Sequence, residues 1–188
     1  MSRLIVYNRI SLDGYFAGPN GEIDWFVHDP EVDAVAHEVY KADALLFGRV
    51  TYQLFEAFWS HIAEDESADP TWRATSRELN NLPKLVASRS LSETTWINSS
   101  LLAGDLIEEA RRLKAENDGT LAIFGSGSIV KQLAAADLID EYLIIVTPFI
   151  CGSGLKMFEG DIGARLRLLK CWDFASGNVL LHYASAAR

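Results

Sequence analysis

Three short loops in this chain carry the residue types that hold phosphate. Gly125-Ser126-Gly127-Ser128 follows a short apolar run, Leu121 to Phe124, and precedes Ile129, Val130 and Leu133 at helical spacing. A strand, a turn of small residues and a helix start leave backbone N–H groups unpaired at the positive end of a helix dipole, where an anion is stabilised. Taken alone, this turn reads equally well as a tight strand-to-helix connection that binds nothing. Gly48-Arg49-Val50-Thr51 follows a second apolar run, Ala44 to Phe47, and Ser88-Arg89-Ser90 follows a third, Leu85 to Ala87. Together the loops offer two guanidinium groups, several hydroxyls and helix N-termini, a set suited to a ligand with several phosphates. Each also has a structural reading: Arg49 in a surface ion pair, Ser88-Arg89 in a plain turn.

For the loops to act together, their strands must share one sheet, because ligands of open α/β sheets bind outside the carboxyl ends of the strands. The periodicity supplies such a sheet. Leu4 to Ile10 reads as a first strand, and Ser11-Leu-Asp-Gly14 with Gly18-Pro-Asn-Gly21 marks a long irregular loop. Asp29-Pro30 starts a helix with Val32, Val35, Ala36, Val39 and Tyr40 on one face. A helix carrying Tyr52, Phe55 and Phe58 follows Gly48, and Asp65 to Asp69 reads as acidic and exposed. Thr94 to Ile97 reads as one more strand, and Leu102, Leu106, Ala110 and Leu113 line a helix. Tyr142 to Val146 is apolar at consecutive positions, as expected of a strand covered on both faces. Arg165 to Phe174 and Asn178 to Tyr183 flank Ala175-Ser-Gly177 as a terminal hairpin. Alternating strands and helices imply an α/β fold: a mostly parallel sheet, helices on both faces and an antiparallel edge. With no repeat and no dividing linker, residues 1–188 read as a single domain.

The 188 residues are enough for one full-sized core, and 49% are hydrophobic, so the chain is not disordered. A formal net charge of −9 argues against nucleic acid or an anionic membrane as partner. An anionic cofactor would need a local basic or N–H-lined pocket. Only Cys151 and Cys171 are present, too few for a disulfide scaffold. No run approaches 18 apolar residues, and the N-terminus lacks a long apolar stretch. The expectation is a soluble cytoplasmic protein acting on a small molecule.

The usual dinucleotide fingerprint is missing. The first strand leads into Ser11-Leu-Asp-Gly14, and the glycine turn comes late in the chain. Strand-Gly-Arg-x-Thr, strand-Ser-Arg and strand-Gly-x-Gly, in this order, resemble the dihydrofolate reductase superfamily from Leu4 to about Tyr183. Ser11-Leu-Asp-Gly14 and Val146-Thr-Pro-Phe-Ile-Cys-Gly-Ser-Gly154 look closer to the reductase domain of the bacterial riboflavin-biosynthesis deaminase–reductase and its stand-alone relatives.

This resemblance implies a three-layer α/β/α reductase using NADPH, in a family that forms homodimers. Gly48, Arg49 and Thr51 would hold phosphates at the start of their helix. Ser88 and Arg89 would contact the adenosine 2′-phosphate, favouring NADP over NAD. Gly125 and Ser126 would match the family's strained Gly-Gly step, often a cis peptide. Gly127 and Ser128 would give N–H groups to the diphosphate. Phe16, Ala17 and Gly18 would lie along the nicotinamide side, in the loop that closes the site. A riboflavin-type substrate would be a ribosylamino-pyrimidine. Dihydrofolate is a competing substrate, and a nucleotide-binding protein without catalysis is a competing role.

Reduction also needs a proton, from a side chain or a water. Counting back from Gly48, Asp33 falls near the superfamily's acid and is the catalytic candidate. Asp29 competes with it but also reads as a helix N-cap. Ile144 and Ile145 stand where a threonine would partner the acid, and Asp24-Trp25 replaces the Pro-Trp pair of dihydrofolate reductases. Both departures count against dihydrofolate. His28, His37, His61 and His182 show no metal spacing, although Asp33 and His37 share a helix face. Trp25, Phe26, Phe55, Phe58 and Trp59 could stack on a flat heterocycle, but such aromatics more often belong to a core.

Overall fold

The computed structural model describes residues 2–116, 118–160 and 162–186. Strand β1 (Arg3–Ser11) sits in the middle of the sheet and alternates its side chains between two cores. Leu4 and Val6 face one core and Ile5 the other, as the two-residue period of a strand requires. The chain continues as β2 (Tyr15–Ala17), α1 (Pro30–Tyr40), β3 (Ala44–Gly48), α2 (Arg49–Ile62), α3 (Pro70–Asn81), β4 (Lys84–Ala87) and β5 (Ser99–Leu101). Then come α4 (Leu106–Glu116), β6 (Thr120–Phe124), α5 (Gly127–Ala135), β7 (Glu141–Thr147), β8 (Leu155–Lys156), β9 (Leu166–Asp173) and β10 (Val179–Ser185).

Eight strands form one sheet in the order β5-β4-β3-β6-β1-β7-β10-β9. All neighbours from β5 to β7 are parallel, and β10 runs antiparallel to both β7 and β9. Val32 and Ala36 of α1, Tyr52 of α2 and Leu79 of α3 pack with Ile5, Phe47 and Phe124 on one face. Ala110 of α4 and Ile129, Val130 and Leu133 of α5 pack with Leu4, Val6 and Ile123 on the other. This is the expected three-layer arrangement with its antiparallel ending.

The N-cap expected at Asp29 is present: its carboxylate accepts from the Glu31 N–H at 2.9 Å, and Pro30 occupies the first helical position. The same signal recurs at Asp69-Pro70, where Asp69 caps α3, a helix the periodicity does not announce. The expected strand over Thr94–Ile97 is corrected. Those residues turn so that Trp96 is 3% exposed and Ile97 62% exposed, while Ser99–Leu101 pairs with β4. Tyr52 fixes the turn, its hydroxyl accepting from the Thr95 and Trp96 N–H groups. Leu102 lies outside α4, which Asp105 caps through the Ile107 N–H. The irregular first loop is also partly ordered, since β2 pairs antiparallel with β8.

Candidate active site

Because β4, β3 and β6 are adjacent and parallel, their carboxyl ends, Ala87, Gly48 and Phe124, lie along one rim. The helix N-termini that follow β3 and β6 are tied directly together. The Gly48 N–H donates to Ser126 Oγ at 2.9 Å, and the Ser126 N–H donates to Thr51 Oγ1 at 2.9 Å. Ser126 Oγ in turn donates to the Phe124 carbonyl at 2.9 Å. From β1, Asn8 Nδ2 donates to the Gly125 carbonyl at 2.8 Å.

The Gly125–Ser126 step is trans, as is every described peptide bond, which corrects the expected cis geometry. The chain turns instead through two successive left-handed residues, Gly125 at φ 57° and Ser126 at φ 54°. A left-handed serine costs roughly 1–2 kcal/mol, and the hydrogen bonds of Ser126 hold it there. Both its N–H and its hydroxyl are thereby used within the protein. The Gly127 and Ser128 N–H groups, by contrast, have no acceptor among the described residues. At two positions the lack of a Cβ lets a neighbouring side chain approach closely. A Cβ on Gly125 would lie 2.8 Å from Thr51 Cγ2, and one on Gly127 would lie 2.4 Å from the Phe16 ring.

Phe16 therefore reaches the first turn of α5 from the opposite side of the rim. Its segment is held by the glycine-rich loop after β7. Asp13 accepts from the Cys151 N–H at 3.0 Å, the Gly152 N–H at 2.8 Å and Ser11 Oγ at 2.7 Å. These bonds, the Ser11 hydroxyl first, hold its carboxyl down at about 2. Ala17 is buried, and the backbone of Ala17 and Gly18 packs against Gly154, where a Cβ would meet the Ala17 carbonyl at 2.3 Å. Cys151 Sγ contacts the Ser153 carbonyl within the same loop.

Arg49, just after β3, and Arg89, just after β4, are exposed. Arg49 Nη1 donates to Gln53 Oε1 at 3.0 Å, one turn along α2. Ser88 Oγ accepts from the Ser90 and Leu91 N–H groups and so closes its own turn, leaving its proton to donate outward.

Asp33 lies in the first turn of α1, and its surroundings were not legible as a motif. Its Oδ1 takes the Tyr7 hydroxyl at 3.0 Å and also pairs closely with Arg9 Nη2. His28 Nδ1 approaches Oδ2 at 3.9 Å, and Arg9 Nη1 donates to the Val27 carbonyl at 3.2 Å. Asp29 is occupied as the α1 cap and by Ser176 Oγ. Burial, and then the Asp33 charge, push the Tyr7 phenol well above the ordinary tyrosine value. The signal that could have found these partners is modest: Tyr7 and Arg9 share a strand face, and a half-buried arginine needs a carboxylate.

Tyr7, Tyr40 and Phe124 form a closed aromatic triangle with centroids 5.1, 5.2 and 5.3 Å apart. Phe55 adds an edge 6.1 Å from Phe124. Trp25 stacks on Phe149 and meets Phe26 edge-on, and Phe58 packs against Trp59 and Trp72, so each of these rings has an aromatic partner within the protein. An open groove of about 440 Å³ between α1 and β9, lined by Val35, Val39, Lys170 and Trp172, shares no residue with the rim. Among the described residues no group of three or more His, Cys, Asp or Glu is placed to hold a metal ion, and His37 pairs with Glu78 at 2.7 Å.

Comparison with known proteins adds a lineage. The model of the RibD C-terminal domain matches residues 3–180. Two uncharacterized proteins of Bacillus subtilis are similar over nearly their whole length. YyaP is 26% identical over 184 residues, covering 96% of this chain and 94% of that protein. YwjB is 29% identical over 187 residues, covering 98% of each. Among solved structures, Acinetobacter baumannii RibD matches with a TM-score of 0.67 at 19% identity, all of this chain covering 59% of that one. Enterococcus faecalis dihydrofolate reductase, complexed with NADP(H), matches with a TM-score of 0.67 at 14% identity over 98% of this chain and 97% of that one. A Shewanella protein named for riboflavin biosynthesis reaches 0.73 at 22% identity over the whole of both chains. The fold is thus dihydrofolate reductase-like.

Proposed function

The chain belongs to the RibD C-terminal domain family, and from that premise we propose that it is an NADPH-dependent reductase. Its substrate is a small heterocyclic or ribosylamino compound of the kind reduced in riboflavin biosynthesis. The observation that carries the reading is the convergence of the α2 and α5 N-termini. Ser126 ties them together, and the Gly127 and Ser128 N–H groups lack acceptors among the described residues. Two helix dipoles and free N–H groups at one point suit a diphosphate.

The residues present fit such a coenzyme. Gly127 and Ser128 would give N–H groups to the diphosphate, and Arg49 and Thr51 would add a guanidinium and a hydroxyl from α2. Thr51 Oγ1 accepts from Ser126, so its own proton is free to donate. Ser88 and Arg89, on the neighbouring strand end, would take the 2′-phosphate that distinguishes NADPH from NADH. Phe16 to Gly18 would close over the nicotinamide end. When bound, NADPH supplies the hydride, and the protein supplies orientation and electrostatics.

The experiment that tests this is a comparison of coenzymes in Arg89→Ala. Loss of a charge-assisted phosphate contact is worth about 1.5–3 kcal/mol, so NADPH should bind roughly 10- to 100-fold more weakly, with NADH little changed. Equal losses for both coenzymes would remove Arg89 from 2′-phosphate recognition.

A further inference from the structure

We infer that Tyr7 meets the donor edge of the substrate, and that Asp33 and Arg9 are positioning residues acting through it. This rests on the reductase reading above. Asp33 is the acid that counting from Gly48 selects, yet its Oδ1 is filled twice over, by the Tyr7 hydroxyl and the Arg9 guanidinium. Arg9 is itself anchored by the Val27 carbonyl, and only 14% of its side chain is exposed. The pair is therefore built into the structure at both ends. A carboxylate serving an internal guanidinium and phenol is engaged before any ligand arrives.

The network has a definite output. Tyr7 gives its proton to Asp33, so the remaining lone pair of its oxygen accepts rather than donates. Burial and the neighbouring carboxylate keep the phenol un-ionised across the physiological range. Tyr7 itself is only partly buried, and the side chain of its partner Asp33 is 41% exposed. The Tyr7 ring packs with Tyr40 and Phe124, and Tyr7 is the register partner of Phe124, the residue just before the Gly125–Ser126 turn. This puts an oriented acceptor at an aromatic cluster, on the strand next to the one that leads into the proposed coenzyme site. A flat heterocycle carrying an exocyclic amino group on its edge fits that chemistry.

Binding of 5,6-diaminouracil and of uracil, which lacks the amino donors, tests the assignment. Both are titrated by calorimetry into protein with and without NADPH. The wild type should prefer the diamino compound by about tenfold, the value of one hydrogen bond. Tyr7→Phe keeps the ring and should bind both compounds equally. Asp33→Ala, which removes the acceptor that orients the phenol, should show the same loss of preference, and the Tyr7→Phe/Asp33→Ala double variant should lose nothing more. A wild type without preference, a Tyr7→Phe protein that keeps it, or a further loss in the double variant would overturn the assignment. Failure of NADPH to bind would count against the coenzyme reading instead, because the pyrimidine comparison is also read without it.

Discussion

At the scale of single residues, Ser126 does more than its size suggests. It is almost fully buried, adopts a left-handed backbone, and joins Gly48, Thr51 and Phe124 through three hydrogen bonds. Ser126→Ala would leave the Gly48 N–H buried without a partner. That costs about 1–3 kcal/mol, read as a lower urea midpoint at unchanged slope, and NADPH affinity should fall with it. An unchanged midpoint would mean the two helix starts are held by something else. The turn itself was legible, because small residues between an apolar run and a helical pattern are a local signal. The Arg9–Asp33–Tyr7 network was not, because it joins a strand to a helix across more than twenty residues and no spacing rule encodes it.

At the scale of elements, α3 shows how one helix end is secured. Lys84 is 1% exposed, and its ammonium donates to the Leu79 carbonyl at 2.6 Å and the Leu82 carbonyl at 2.7 Å, with Asn80 at 3.4 Å. It also lies 4.5 Å from the Trp96 ring centroid. The arrangement satisfies carbonyls at the α3 C-terminus that have no helical partner. Burial pushes the Lys84 ammonium down from 10.5 to about 8. Between those two values the unfolded chain binds more protons than the folded one, so stability contributed by this group rises with pH there. Below about 8 the folded lysine is charged and the full desolvation penalty is present. Urea unfolding of the wild type against Lys84→Met should therefore show the difference shifting in favour of the wild type from pH 8 to 10.5. A difference independent of pH would contradict the depressed lysine. The periodicity missed α3 because only Ser76 and Leu79 are buried along it, which leaves too few apolar positions to define a face. Its cap, Asp69-Pro70, repeats the pair that did announce α1. Thr94–Ile97 misled because β-favouring residue types there serve to seat one tryptophan.

At the scale of the whole molecule, the alternation of strands and helices was enough to expect a parallel sheet with helices on both faces. It could not order the strands, since pairing of residues so far apart in the chain leaves no periodic trace. That order gives the loops their meaning. β3 lies between β4 and β6, so a glycine turn, a Gly-Arg-x-Thr helix start and a Ser-Arg turn from distant parts of the chain share a rim. With a formal net charge of −9, the chain as a whole repels a polyanion, so affinity for the proposed coenzyme would have to come from local groups such as those on this rim. The most direct measurement is a calorimetric titration of the folded protein with NADPH and, separately, NADH. Saturable uptake of one NADPH per chain, with NADH at least tenfold weaker, is the expected result. A well-folded protein that takes up neither would contradict the reductase assignment, however closely its backbone follows the family.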